Sequence, residues 1–229
     1  QAFGYHASPI AILKGRLIAY AVVILLAVLS EFAPLAASVV YFPLVMVTPI
    51  IVVRAFRFRA ANSSYRGIRF AFDGLESEAY RVFLLLPLLV PFTLGLAYPL
   101  VTKRQREYYV GESRFGRAQF GLELPTGAVY RIYLLGALAF LVLAGAAAAV
   151  MFGSLFAAGQ PPSADTPPGP GFFAGFALLY VGFGATAVAV RTAFENLVWN
   201  HTQLDVHRFE SRLKARTMLW LYSTNVLLI

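Results

Sequence analysis

Charge in this chain is confined to bands. All 19 Lys and Arg residues fall in four zones: Lys14 and Arg16, Arg54 to Arg81, Lys103 to Arg131, and Arg191 to Arg216. The runs between them are uncharged or nearly so, and are long enough for bilayer helices of about 20 apolar residues. Only 13% of the residues are charged and the mean hydropathy is +0.68, whereas soluble domains carry roughly 25% charged residues. A polytopic α-helical membrane protein follows, with 1–229 as a single membrane domain. The net charge of +8 then reflects topology rather than a nucleic-acid partner, because cytoplasmic loops accumulate Lys and Arg. The chain has no cysteine, which removes disulfide, thiolate and iron–sulfur chemistry.

The first apolar run, residues 17–53, is interrupted by Ser30, Glu31 and Pro34. One straight helix would be about 55 Å long against a hydrocarbon core of about 30 Å. Two short helices turning near Glu31 to Pro34 fit better, with Glu31 in a solvated turn rather than as an intramembrane carboxylate. The run is too long for a cleaved signal peptide. Residues 132–157 and 172–190 are two further spans. Between them, GQPPSADTPPGPG lacks Lys and Arg and reads as a flexible loop on the side away from the basic zones. The GAAAAV stretch from Gly145 permits close helix packing. Another span begins at Met218. A start on Gln1 and a stop at Ile229 inside a rising apolar run predict a longer intact protein.

The basic zones repeat. At an offset of fifty, Pro49 aligns with Pro99, Arg54 with Arg104, Phe58 with Tyr108, Ser63 with Ser113, Tyr65 with Phe115, and Phe70 with Phe120. Tyr80-Arg81 and Tyr130-Arg131 align likewise, followed by Phe83 and Tyr133. The units run over about 49–83 and 99–133, with a weaker copy over about 188–222 that places Thr202 with the serines and Phe209 with the phenylalanines. Within them RGIRFAF, GRAQFGLEL and LDVHRFESRL alternate apolar and polar residues at period two. That pattern predicts short β-like segments at the cytoplasmic membrane surface.

Whether all zones share one side depends on Val82 to Thr102. If this run crosses once, six basic residues of the third zone face outside, against the positive-inside rule. If it turns back as a re-entrant hairpin, every zone is cytoplasmic and the copies are equivalent. Pro87, Pro91, Gly95 and Pro99 ease such a break, although about 21 residues also suffice for one crossing. Pro91, Thr93, Gly95 and Pro99 mark the expected helix break, and the balance favours turning back.

The segment TLGLAYPLVTKRQREYY, preceded by FAFDG and followed by SRFGRAQFGLE, resembles the signature of the YjgN family of bacterial inner-membrane proteins. Thr93, Leu94, Gly95, Leu96, Pro99, Arg104, Arg106 and Tyr108 fit its pattern, while Leu100 stands where the family has Trp. The C-terminal VWNHTQLDVHRFESRLKARTMLWLYSTN resembles the segment before a further copy of the motif. The likeness covers roughly Arg54 to the end. It implies a bacterial inner (plasma) membrane protein with no established activity, and suggests a membrane metallopeptidase as a partner.

No constellation points to an enzyme or a cofactor. His201, Asp205 and His207 would share one strand face if extended and could then hold zinc, but no HExxH or HxH motif supports them. The serines lack His and Asp partners at a catalytic relationship. Two functions remain. One is a non-catalytic subunit or scaffold, contacting membrane lipids and either its own copies or another membrane protein. The other is a transporter or lipid- or solute-binding protein with its site at the broken helix, where Thr93 is the one polar side chain. Candidate binding residues for lipid headgroups or a partner are Tyr80, Arg81, Tyr130, Arg131, Phe70 and Phe120. The lack of polar groups at the break favours the scaffold.

Overall fold

The computed structural model describes residues 3–157 and 169–227, so most of the Pro- and Gly-rich linker lies outside the described residues. In chain order the elements begin with β1 (Phe3–Tyr5), α1 (Pro9–Phe32), α2 (Pro34–Ala61), β2 (Ser63–Tyr65) and β3 (Ile68–Phe72). Next come α3 (Glu76–Tyr80), a π-helical turn (Arg81–Leu85), α4 (Leu86–Phe92) and α5 (Tyr98–Gly111). The remainder is β4 (Ser113–Phe115), β5 (Ala118–Leu122), α6 (Thr126–Ala157), α7 (Pro170–His201), β6 (Thr202–Leu204), β7 (His207–Arg208) and α8 (Ala215–Leu227).

Among the described residues, four helices are long and apolar enough to cross a membrane: α1, α2, Thr126–Ser154 within α6, and α7. The first apolar run does divide before Pro34, whose ring and missing N–H prevent a helix from continuing through it. Its two helices are not short, however. They have 24 and 28 residues, or about 36 and 42 Å at 1.5 Å per residue, because α2 continues through the basic residues Arg54 to Arg59.

The chain falls into two compact units, Gln1–Glu123 with Thr202–Arg208, and Leu124–His201 with Phe209–Ile229. The first holds a seven-stranded antiparallel meander in sequential order. Its hairpins turn at Arg66-Gly67, Gly116-Arg117 and Asp205-Val206, where Arg66, Gly67, Gly116 and Asp205 have positive φ. Between hairpins the sheet is closed by Tyr5 opposite Ser63, Phe72 opposite Ser113 and Leu122 opposite Thr202. The chain leaves the sheet at each first residue and rejoins it at the paired one.

The excursion between Phe72 and Ser113 turns back on itself. α4 ends in a Schellman motif, with the Gly95 N–H donating to the Val90 carbonyl at 2.8 Å and the Leu94 N–H to the Pro91 carbonyl at 3.3 Å. Leu94 takes φ +49° and Gly95 +88°. Thr93 Oγ1 donates to the Leu89 carbonyl at 2.8 Å and accepts from the Ala97 N–H at 3.0 Å, starting α5. The N–H groups from Thr93 to Tyr98 all find acceptors within the turn and the adjoining end of α4. Pro91 lies inside α4 and Pro99 in the first turn of α5, so the break itself spans Thr93 to Ala97. The preceding π turn widens the helix ahead of Pro87, whose ring would otherwise crowd the Phe83 carbonyl.

The third alternating segment departs from expectation. LDVHRFESRL supplies the end of β6 and the two-residue β7, and residues 209–214 have no regular structure. Side chains of α7 take their backbone donors instead: Asn200 Oδ1 accepts from the Ser211 N–H at 2.6 Å, and Asn196 Oδ1 from the Leu213 N–H at 2.8 Å. In the second unit, α6 and α7 approach closely through Gly136 against Val190, Gly175 against Met151 and Ala147, and Gly182 against Leu143. Gly145 itself faces open space, and the GAAAAV stretch takes part in this packing through Ala147, which is buried against Gly175.

Candidate functional site

The elements of the first unit converge on a core of Val53, Phe72, Ala79, Val82 and Tyr108. Phe56 from α2 stacks on this core, with ring centroids 5.3 Å from Phe72 and 4.5 Å from Tyr109. Phe72 meets Tyr108 edge-on at 5.6 Å, an arrangement that aromatic quadrupoles favour. Aromatic side chains thus bind α2, β3, the π turn and α5 together.

A polar ring surrounds the loop that joins β3 to α3. Tyr108 Oη donates to the Leu75 carbonyl at 2.9 Å, and Arg57 Nη2 to the Gly74 carbonyl at 2.9 Å. Arg57 also faces Glu76 at 3.7 Å. The Asp73 N–H donates to the Glu112 carbonyl at 2.9 Å, and the Asp73 carboxylate pairs with the Arg114 guanidinium. A Cβ on Gly74 would lie 2.5 Å from Tyr108 Oη and 2.6 Å from the Phe72 ring, so only glycine fits beneath them. Burial, then the nearby Glu78 and Glu112 carboxylates, push the Tyr108 phenol up to about 12. Burial, followed by Glu78 and Asp73, raises the Glu112 carboxyl above its ordinary value.

The sheet has two chemically distinct faces. Strand register puts Tyr65, Ile68, Phe70, Phe72, Phe115, Phe120, Leu122 and Leu204 on one face. Phe72 on that face packs on Phe56 of α2 and on Tyr108 and Tyr109 of α5. The opposite face carries Arg69, Arg114, Gln119, Gln203 and Arg208, and Gln119 Nε2 donates to the Gly111 carbonyl at the end of α5 at 2.7 Å. All of these face residues but Arg114 are exposed. Beside the aromatic face lies a cavity of about 270 Å³ lined by Phe3, Phe56, Arg59, Phe70, Phe72 and Tyr109.

The residues singled out from sequence have varied positions. Phe70 is half-buried against Phe115, with centroids 5.0 Å apart, and Phe120 is half-buried in β5. Tyr80 and Tyr130 are half-buried near helix starts, and Arg81 and Arg131 beside them are exposed. Thr93 spends its hydroxyl on the backbone of the turn, so a solute there would meet no spare side-chain donor. His201, Asp205 and His207 do not share a strand: His201 ends α7, Asp205 sits in the hairpin turn and His207 opens β7. The early turn end of β6 separates them, and no metal-holding group of His, Cys, Asp and Glu is found among the described residues.

Sequence reading missed Phe56, Arg59, Gly74 and Tyr109. Arg57 and Arg59 stood in a basic zone with nothing to distinguish them, and the offset match paired Tyr108 with Phe58, which is exposed. The model of one bacterial family, described as proteins of unknown function (DUF898), matches residues 1–229. The chain belongs to the DUF898 family. The YjgN-like segments lie within the DUF898 match. Neither the curated proteins nor the solved structures contain a match. For this DUF898 chain, four helices of sufficient length and apolarity are compatible with a membrane protein.

Proposed function

We propose that this DUF898 protein is a non-catalytic subunit or scaffold of a bacterial inner-membrane assembly, with its basic zones cytoplasmic and its sheet as the docking platform. The observation carrying the reading is the set of closing pairs Tyr5–Ser63, Phe72–Ser113 and Leu122–Thr202. A sheet on one side of a bilayer requires each excursion to return to the side it left. Two helices of α1 and α2 length do so by crossing twice. The shorter excursion does so by re-entry: from Val82 to Phe92 the helix rises about 16 Å, half of a hydrocarbon core of about 30 Å. Fifty residues separate β2 from β4 and β3 from β5, which supports duplication of the unit.

On this reading the aromatic face and α2 and α5 lie towards the bilayer, and the face of Arg69, Gln119, Gln203 and Arg208 looks into the cytoplasm. An exposed cationic sheet face suits an acidic surface on a second membrane protein. A membrane metallopeptidase is the candidate suggested by the YjgN resemblance, and a further copy of the chain is the other.

The test is purification of the full-length protein in mild detergent. The expected product is an oligomer or a stoichiometric complex that separates when Arg69→Glu and Arg208→Glu reverse the face. Those exposed positions leave the core intact, so loss of the complex with unchanged melting would support docking. A monomer whose stability grows with solute concentration as RT ln(1 + [L]/Kd) would overturn the proposal in favour of solute binding.

A further inference from the structure

We infer that the cavity beside the aromatic face holds one acyl chain of an anionic phospholipid, with Arg59 gripping the headgroup phosphate. The lining sets the chemistry of the occupant. Phe3, Phe56, Phe70, Phe72 and Tyr109 present ring surface, while the two serines at the cavity are already used. Ser63 Oγ donates to the Arg59 carbonyl at 2.8 Å and Ser113 Oγ to the Tyr109 carbonyl at 2.7 Å. What remains is apolar. About 270 Å³ is below the roughly 300–1,000 Å³ of pockets that enclose a whole small molecule, which suits part of a longer ligand rather than a complete one.

The rim sets the charge. Arg57, which lies between the lining residues Phe56 and Arg59 on α2, is occupied by the Gly74 carbonyl and Glu76. Arg59 is exposed and has no acidic partner among the described residues. It lies in the last turn of α2, whose apolar part is long enough to span a membrane. A guanidinium at that level, on a stem that can snorkel, meets lipid phosphates. An apolar chain joined to an anionic head satisfies both features, whereas a free anion leaves the aromatic lining empty. The site rests on the reading of α2 as a span and does not require the sheet to dock a partner.

The experiment uses the delipidated full chain in detergent with phosphatidylglycerol, phosphatidylcholine or glycerol phosphate added separately. Lipid retained is counted by native mass spectrometry, and melting is followed in parallel. Phosphatidylglycerol should be retained at one molecule per chain and raise the melting temperature. Arg59→Gln should cut its preference over phosphatidylcholine about tenfold, the scale of a hydrogen bond to a charged group. Ala60→Phe, which fills the cavity from α2, should abolish retention without lowering the lipid-free melting temperature. If that variant melts early, Arg59→Gln alone decides. Equal retention of phosphatidylcholine, equal stabilisation by glycerol phosphate, or wild-type retention in both variants would overturn the site. Charge reversal at Arg69 and Arg208 should leave retention unchanged, so failure of the docking proposal is read separately.

Discussion

The Tyr108 hydroxyl donates to the Leu75 carbonyl at 2.9 Å, joining the last turn of α5 to the loop that opens α3, thirty-three residues earlier. The ring behind the hydroxyl is 4% exposed and touches Phe72 and Phe83. Tyr108→Phe keeps the ring and removes the donor, and should cost about 1 kcal/mol. Tyr108→Ala also leaves a cavity and should cost about 3–5 kcal/mol. Melting of the purified variants checks the order; equal losses would show that the ring packing contributes little.

Gly74 offers a sharper test of the same junction. A methyl group there collides with the Tyr108 hydroxyl and the Phe72 ring, whereas one at Gly111 in α5 meets nothing within 4 Å. Gly74→Ala should destabilise by about 1–3 kcal/mol through overpacking. Gly111→Ala should be neutral or stabilising by about 0.5–1 kcal/mol, since it reduces backbone freedom in the unfolded chain. Melting curves that place the two variants together would contradict the close contact.

The acids around this junction make stability depend on pH. Glu112 holds its proton more tightly folded than unfolded, because of burial and then Glu78 and Asp73. The stability linked to it is therefore complete below the ordinary carboxylate value and is lost as pH rises through the raised one. Tyr108, raised to about 12 from 10.0, behaves alike at the alkaline end, losing stability as pH climbs from 10 towards 12. Glu112→Gln should melt higher than wild type at pH 7 and should lack the wild-type gain on mild acidification. A wild-type slope that persists in the variant would assign the titration elsewhere.

The bands of charge, the interruption at Pro34 and the two hairpins fifty residues apart were legible because each has a local cause: desolvation of charge, a missing N–H, or period-two alternation. The pairing of β3 with β4 and of β5 with β6 was not, since register across a 40- to 80-residue excursion leaves no local trace. β1 was missed for the same reason: three residues, FGY, carry no alternation of their own and form a strand only because β2 offers an edge. The third hairpin was overread. Its alternation is as good as the others, but Asn196 and Asn200 on α7 capture the donors that a longer strand would need. Of the site, the sequence pointed to Phe70 and Tyr108 through the repeat, while Arg59 acquires meaning only beside a cavity whose lining comes from six separate elements, β1, α2, β2, β3, β4 and α5.

The turn at Leu94 and Gly95 carries a prediction about backbone strain. Leu94 adopts φ +49° at a position where glycine is usual, which costs about 1–2 kcal/mol for an L-residue with a side chain. Its side chain is 94% exposed in the isolated protein, and Phe92 beside it 84%. Leu94→Gly should therefore raise the melting temperature in detergent, where an apolar tip gains little. Leu94→Lys should keep the backbone strain, place a charge at the tip and reduce the amount of protein inserted in membranes. Equal insertion of the two variants would argue that the tip does not lie in hydrocarbon.

The closing pairs of the sheet yield the most direct topological prediction. Thr202 is only 4% exposed and is unsuited to labelling, but the hairpin turns at Arg66, Arg117 and Val206 are all exposed. The chain has no native cysteine, so Arg66→Cys, Arg117→Cys and Val206→Cys each introduce a unique thiol. In intact bacteria all three should resist a membrane-impermeant maleimide and react once the cells are opened. Asp165→Cys, in the linker between α6 and α7, should react in intact cells, and Leu94→Cys should stay poorly reactive in both states if the turn is embedded. The three hairpins belong to one continuous sheet, so they must agree with one another whichever side they occupy. Labelling of Arg117→Cys alone in intact cells would require Val82 to Thr102 to cross the bilayer, and would break the pairing of Phe72 with Ser113 on which the re-entrant reading stands.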